Sequence, residues 1–232
     1  DRLDIMGTGT LNIDESRQLQ LITQYYKSQG DDDYGLNLGK GFSAIRGTST
    51  PFVSNGLNSD RIPGTERHLI SLQYSDSAFL GQELVGQVYY RDESLRFYPF
   101  PTVNANKQVT AFSSSQQDTD QYGMKLTLNS KPMDGWQITW GLDADHERFT
   151  SNQMFFDLAQ ASASGGLNNK KIYTTGRYPS YDITNLAAFL QSDYDINNLF
   201  TLNGGVRYQY TENKIDDFIG YAQQRQIAAG KA

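Results

Sequence analysis

Along most of this chain the polarity of the side chains switches at every residue, and a backbone that does so is a β-strand with one apolar face and one wet face. Leu3, Ile5, Leu11 and Ile13 alternate with Thr8, Thr10 and Asn12, and Gly7 and Gly9 share their apolar face. Leu19, Leu21 and Tyr25 alternate with Gln18, Gln20 and Gln24, and Ile70, Leu72 and Tyr74 with Ser71 and Gln73. Leu84, Val88 and Tyr90 stand against Glu83, Gln87 and Arg91; Tyr122, Met124, Leu126 and Leu128 stand against Lys125 and Thr127. Trp136, Ile138, Trp140 and Leu142 oppose Gln137, Thr139, Asp143 and Asp145. Leu186, Ala188, Leu190 and Tyr194 oppose Gln191 and Asp193, and Phe200, Leu202, Val206 and Tyr208 oppose Thr201, Asn203, Arg207 and Gln209. A soluble β-sandwich and a membrane barrel with a wet lumen both produce this pattern.

The connections separate the two. Short ones at 14–17, 75–81, 129–135 and 197–198 alternate with long ones at 28–66, 92–119 and 147–184. An outer-membrane barrel has short periplasmic turns and long extracellular loops, whereas compact soluble domains seldom carry long loops without a function for them. Aromatic residues agree. Tyr74, Trp136, Tyr194 and Phe200 lie on the apolar face beside short turns, and Tyr25, Tyr90, Tyr122 and Tyr208 beside long loops, as two interfacial girdles require. The chain is therefore expected to be all-β, a transmembrane antiparallel wall of eight consecutive strands from a larger barrel. Both of its ends fall on the outer side, and residues 213–232 read as the start of another long loop, so the expected object is an open piece of wall covering residues 1–232.

Composition excludes several other classes. No apolar run is long enough for a spanning helix, and with no cysteine there is neither a disulfide scaffold nor a thiolate metal site. A net charge of -6 argues against nucleic acid as a partner. Gly39 and Lys40 suggest a phosphate loop, but the first glycine is mis-spaced and neither Ser nor Thr follows Lys40. Asp31, Asp32 and Asp33 lack the spacing of a calcium loop. His68 and His146 cannot form a zinc site alone, and Asp143, Asp145, His146 and Glu147 read as a hydrated rim of lumen-facing charge rather than a catalytic group. No serine stands in a nucleophile elbow, and no catalytic residue or metal ligand is expected.

Two loop stretches carry chemistry of their own. Arg96, Phe97, Tyr98, Pro99 and Phe100 set a cation among rings, as do Lys170, Lys171, Tyr173, Arg177 and Tyr178. Asp157 is the only acid between Ser151 and Tyr181, so that loop is net positive inside an acidic chain. One reading is a site for an anion whose organic shell stacks on rings; the other is a loop packing its own aromatics beneath a solvated basic tip. The candidate ligand residues are Arg96, Tyr98, Lys170, Lys171, Arg177 and Tyr178, with Arg91 and Arg207 facing the lumen.

The run NLAAFLQSDYDINNLFTLNGGVRYQYT, residues 185–211, resembles the strand, turn and strand pair of TonB-dependent outer-membrane receptors, in its AAFLQ stretch, its DINN turn and its GGVRY strand. From DRLDIMGTGTLN to QQRQIAAGKA the chain is similar to those members of the family that take ferric hydroxamate-citrate siderophores. The resemblance implies a barrel of about 22 strands with a plug domain, energised by the TonB–ExbB–ExbD complex. It implies a cargo of iron(III) carried only as a siderophore complex, with no resident cofactor, and loops that bacteriocins and phages use in the family. The plug, the TonB box and the terminal strands of the family have no counterpart in residues 1–232. A passive porin-like channel and an outer-membrane adhesin or enzyme are the alternative functions.

Overall fold

The computed structural model describes residues 2–29, 35–37, 52–54, 63–97, 99–106, 109–164, 168–228 and 230. Eight long strands run in sequence order across one antiparallel sheet: β1 (Arg2–Asn12), β2 (Arg17–Gln29), β5 (Gly64–Phe79), β6 (Gln82–Arg96), β8 (Val109–Met133), β9 (Trp136–Phe156), β11 (Tyr181–Asn197) and β12 (Phe200–Ile215). Each of the eight alternating segments is one of these strands. Between β2 and β5, β3 (Gly35–Asn37) and β4 (Phe52–Ser54) pair with each other in a separate small sheet. The residues Asp31, Asp32, Asp33, Gly39, Lys40 and Gly41 lie outside the described set.

Register sorts the two faces. Leu21, Leu72, Val88, Met124, Ala144, Leu186 and Tyr210 are successive cross-strand partners. The neighbouring row on the opposite face is Gln20, Gln73, Gln87, Lys125, Asp143, Ala187 and Gln209. A slip of one residue would bring polar members of the other row, such as Gln73, Lys125, Asp143 and Gln209, into the apolar one, which is why the register is fixed. Among the described residues no second sheet covers the apolar face: Leu202, Val206 and Tyr208 are 62%, 66% and 72% exposed. A sandwich would bury these side chains, whereas a lipid-facing wall presents them outward. The sheet is open, with one unpaired edge on β1 and one on β12.

The aromatic residues descend across the sheet as a staircase. Tyr90 and Tyr122 are partners, and Tyr122 also pairs with His146. Tyr25 pairs with His68, two positions further out than Ile70, the partner of Tyr90. Tyr208 pairs with Ala188 and thence with Leu142, four positions short of His146. The lower band steps the same way, from Tyr74 on β5 to the Trp136–Tyr194 edge contact on β9 and β11 and then to Phe200. Two girdles stepping in parallel are what strands tilted against the membrane require.

The short turns are tighter than the sequence suggests. Residues 75–81 and 129–135 reduce to two-residue turns at 80–81 and 134–135, because their polar flanks continue the ladder instead of looping. Leu80 and Gly81 both have positive φ, 50° and 76°, the conformation whose twist matches the flanking strands. At the first turn Asp14 Oδ1 accepts the amides of Ser16 and Arg17 at 2.9 and 2.8 Å, and Oδ2 accepts Arg17 Nε at 2.6 Å. The Arg17 side chain, aided by the Ser16 amide, holds the Asp14 carboxyl well below the usual carboxylate range.

In the second and third long loops most of the described residues lie in regular structure. β8 and β9 rise far beyond the apolar belt; β7 (Phe100–Val103) pairs with β8 and β10 (Lys171–Gly176) with β9. The helix α1 (Leu158–Ser164) packs there, and Phe112, Phe156 and Ala161 form a buried cluster with Val109, Met154 and Leu158 around it. Beyond β12, residues 216–220 lead into α2 (Tyr221–Ala228), where the sequence suggested only loop.

Candidate ligand site in the outer loops

Alternation carries past the membrane belt, so β8 and β9 present a continuous inward set above it: Ser113, Ser115, Ser151, Gln153 and Phe155, in line with the lumen-facing Lys125 and Asp143 lower on the same strands. Most of this set is buried. Gln153 Nε2 donates to Ser113 Oγ at 2.8 Å, and Tyr173 stacks on Phe155 with centroids 4.9 Å apart.

Arg177 joins the two loop stretches that the sequence singled out. Its amide donates to Ser151 O at 2.9 Å, which aligns it with the inward set, and its Nη1 donates to Ser115 Oγ at 2.6 Å. The guanidinium lies 5.8 Å from the Phe100 ring centroid and 5.3 Å from that of Tyr178. A cation held by one hydroxyl between two rings keeps guanidinium donors that no acid among the described residues neutralises. Such a group can take a carboxylate or other anion while the rings cover attached apolar arms.

The other candidates do not converge on it. Arg96 belongs to the outward set at the end of β6, where Nη2 meets Glu66 Oε2 at 3.4 Å, and Glu66 also accepts the Tyr25 hydroxyl at 3.2 Å. Arg96 is thus a wall residue on the opposite face from Ser115. Lys170 and Lys171 are exposed at the far end of β10, about 20 Å of strand from Arg177. Tyr178 is 46% exposed. Tyr98 lies outside the described residues.

In the lumen, Arg207 Nη1 binds Asp143 Oδ2 at 2.7 Å and its guanidinium lies 6.0 Å from the Phe189 ring. Arg91 Nε is buried with no acceptor among the described residues. Strand alternation divides the titratable cluster that reads as one rim in the sequence. Asp143, Asp145 and Glu147 belong to the inward set, and His146 to the outward one. There the His146 ring lies tilted against Tyr122 with centroids 5.1 Å apart, and its Nε2 lies 3.3 Å from Asp182. Among the described residues no group of three or more His, Asp or Glu side chains could hold a metal ion.

Ser115, Gln153 and Phe155 have no motif to mark them; only their place in the alternation of β8 and β9, continued upward into what looks like loop, could have found them.

Residues 7–230 match the family described as TonB dependent receptor-like, beta-barrel. The chain is 98% identical over all 232 residues to a protein of Escherichia coli named ferric aerobactin receptor, of which it spans 32%. It is 40% identical over the same residues to the rhizobactin receptor of Rhizobium meliloti (strain 1021), spanning 31% of that protein. It therefore covers about a third of the length of these curated relatives. Among solved structures it is similar to the copper transporter OprC, with a TM-score of 0.62 at 16% identity over 92% of this chain and 29% of the other, a likeness of fold alone.

Proposed function

The chain belongs to the TonB-dependent receptor β-barrel family, and on that premise we propose that it supplies barrel wall and ligand-holding outer loops to an outer-membrane importer of ferric aerobactin. The observation that carries the proposal is the 98% identity, over the whole chain, to a protein named for that ligand. Physical support comes from Arg177, a cation set between Phe100 and Tyr178 on the inward side of the loops and lacking an acidic partner among the described residues. An anionic iron complex with apolar arms suits that combination of charge and ring. In this reading Lys170 and Lys171 attract the complex at the loop tip and Arg177 holds it lower down, while Arg91 and Arg207 line the path below. Iron(III) is cargo, bound through its siderophore, and the protein performs no reaction on it. The TonB–ExbB–ExbD complex drives release through parts of the receptor beyond these residues.

The test is uptake of labelled ferric aerobactin by cells lacking their own receptor and supplied with the full-length protein containing this segment. Saturable uptake that disappears when TonB is removed is expected. Unsaturable uptake indifferent to TonB would favour the passive channel, and its absence at normal surface abundance would refute the assignment.

A further inference from the structure

We propose that Gln224, on the helix following the last strand, is a positioning residue for the Arg177 site, its side chain standing in for a strand that β10 lacks. The inference rests on the assignment of Arg177 to the ligand made above. Among the described residues β10 pairs only with β9, so its other backbone edge has no strand partner. Amides alternate in direction along a strand. The Arg177 amide points toward β9, to Ser151 O at 2.9 Å, so the amide of Gly176 points away from it. That outward amide donates to Gln224 Oε1 at 2.8 Å.

Gln224 is itself held from both sides. Its Nε2 donates to Ile219 O at 2.5 Å, and its amide donates to Gly220 O at 3.1 Å in the first turn of α2. The segment leading to the helix is anchored in turn, the Asp216 amide donating to Ser180 O at 2.9 Å and Arg148 Nη2 lying 3.6 Å from Asp216. Two consecutive residues are therefore fixed from opposite sides: Gly176 from behind by Gln224, and Arg177 from the front by Ser115, Phe100 and Tyr178. Gly176 has no side chain with which to hold itself, so this end of β10 depends on contacts made from outside. Release of its amide lets β10 sample orientations in which Arg177 no longer meets the ligand, and apparent affinity falls with the fraction of competent molecules.

The experiment measures ferric aerobactin binding to the full-length receptor carrying Gln224→Leu or Gln224→Glu, each with and without Arg177→Ala, at matched surface abundance. Leucine removes the acceptor and should weaken binding about fivefold; glutamate keeps an acceptor for Gly176 but loses the donor to Ile219 O, and should recover only part of the loss. With Arg177 already alanine, Gln224→Leu should add nothing, because the two substitutions break one arrangement. Amide exchange in the peptide covering residues 171–180 should quicken more in the leucine variant than in the glutamate one. Wild-type affinity in Gln224→Leu, or losses that add fully with Arg177→Ala, would overturn the role of Gln224 while leaving Arg177 in the site. If Arg177→Ala itself binds normally, the ligand assignment fails and the positioning role with it.

Discussion

On the lumen wall two rings occupy space left free by a glycine directly opposite each. Phe189 pairs with Gly141 and Tyr89 with Gly123, and a Cβ built on Gly141 would lie 2.3 Å from Leu126 O and 2.6 Å from the Phe189 ring. One of those neighbours is backbone and cannot yield, so Gly141→Ala should destabilise the folded barrel by about 1–3 kcal/mol. Gly86→Ala, on an interior strand, would meet only Leu126 Cδ1 at 3.8 Å and should change little. Urea unfolding of the two full-length variants in detergent checks both. The exposed lysines give a kinetic prediction. Lys170 and Lys171 lie at the loop tip with no acid tied to them among the described residues, so replacing both with alanine should slow association more than it hastens dissociation. The effect should fade as salt shortens the range of their field. Stopped-flow binding at low and high ionic strength reads this directly; a salt-independent change confined to dissociation would contradict it.

The strands were legible in the sequence because each must expose one face to lipid and one to water, which writes alternation into the residues themselves. Their ends were less so. β8 and β9 run to 25 and 21 residues, well beyond the belt, because Ser113, Ser115, Ser151 and Gln153 satisfy an inward polar face above the membrane without the apolar partners that betray a strand below it. α2 was illegible for a related reason: YAQQRQIA has a weak apolar stripe, and the helix is held by Gln224 against a glycine amide far away in the sequence. Of the site, the two cation-and-ring stretches were visible, but not that Arg96 falls on the outward face and Arg177 on the inward one, since that depends on register above the belt. The face assignment within the belt is open to direct test. Leu202 and Thr201 are adjacent on β12, the first among the apolar set and the second donating to Asp195 Oδ1 at 2.7 Å on the lumen side. In the full-length receptor Leu202→Arg, two residues from Phe200 in the lower girdle, should cost about 1–2 kcal/mol, and Thr201→Arg much less. Equal costs in refolding titrations would contradict the assignment.

At the scale of the molecule the sheet is a wall with two open edges, and each unpaired backbone group in lipid costs several kcal/mol by the general estimate for membrane interiors. Residues 1–232 expressed alone are accordingly expected not to restore ferric aerobactin uptake to receptor-deficient cells, whereas the full-length protein should; growth on the siderophore with the piece alone would contradict this. The long strands raise a cation and its flanking rings above the belt on the side that opens into the lumen, while the wall below offers Arg91 and the Arg207–Asp143 pair. In the proposed reading, that arrangement would make capture, holding and descent of an anionic iron complex one continuous surface. Its most direct test is equilibrium binding of labelled ferric aerobactin to cells displaying the full-length receptor, wild type against the combined Lys170→Ala, Lys171→Ala and Arg177→Ala variant at equal surface abundance. Saturable wild-type binding, weakened more than about tenfold in the variant and losing affinity as salt rises, is the predicted result; undiminished affinity in the variant would remove these loops from the ligand.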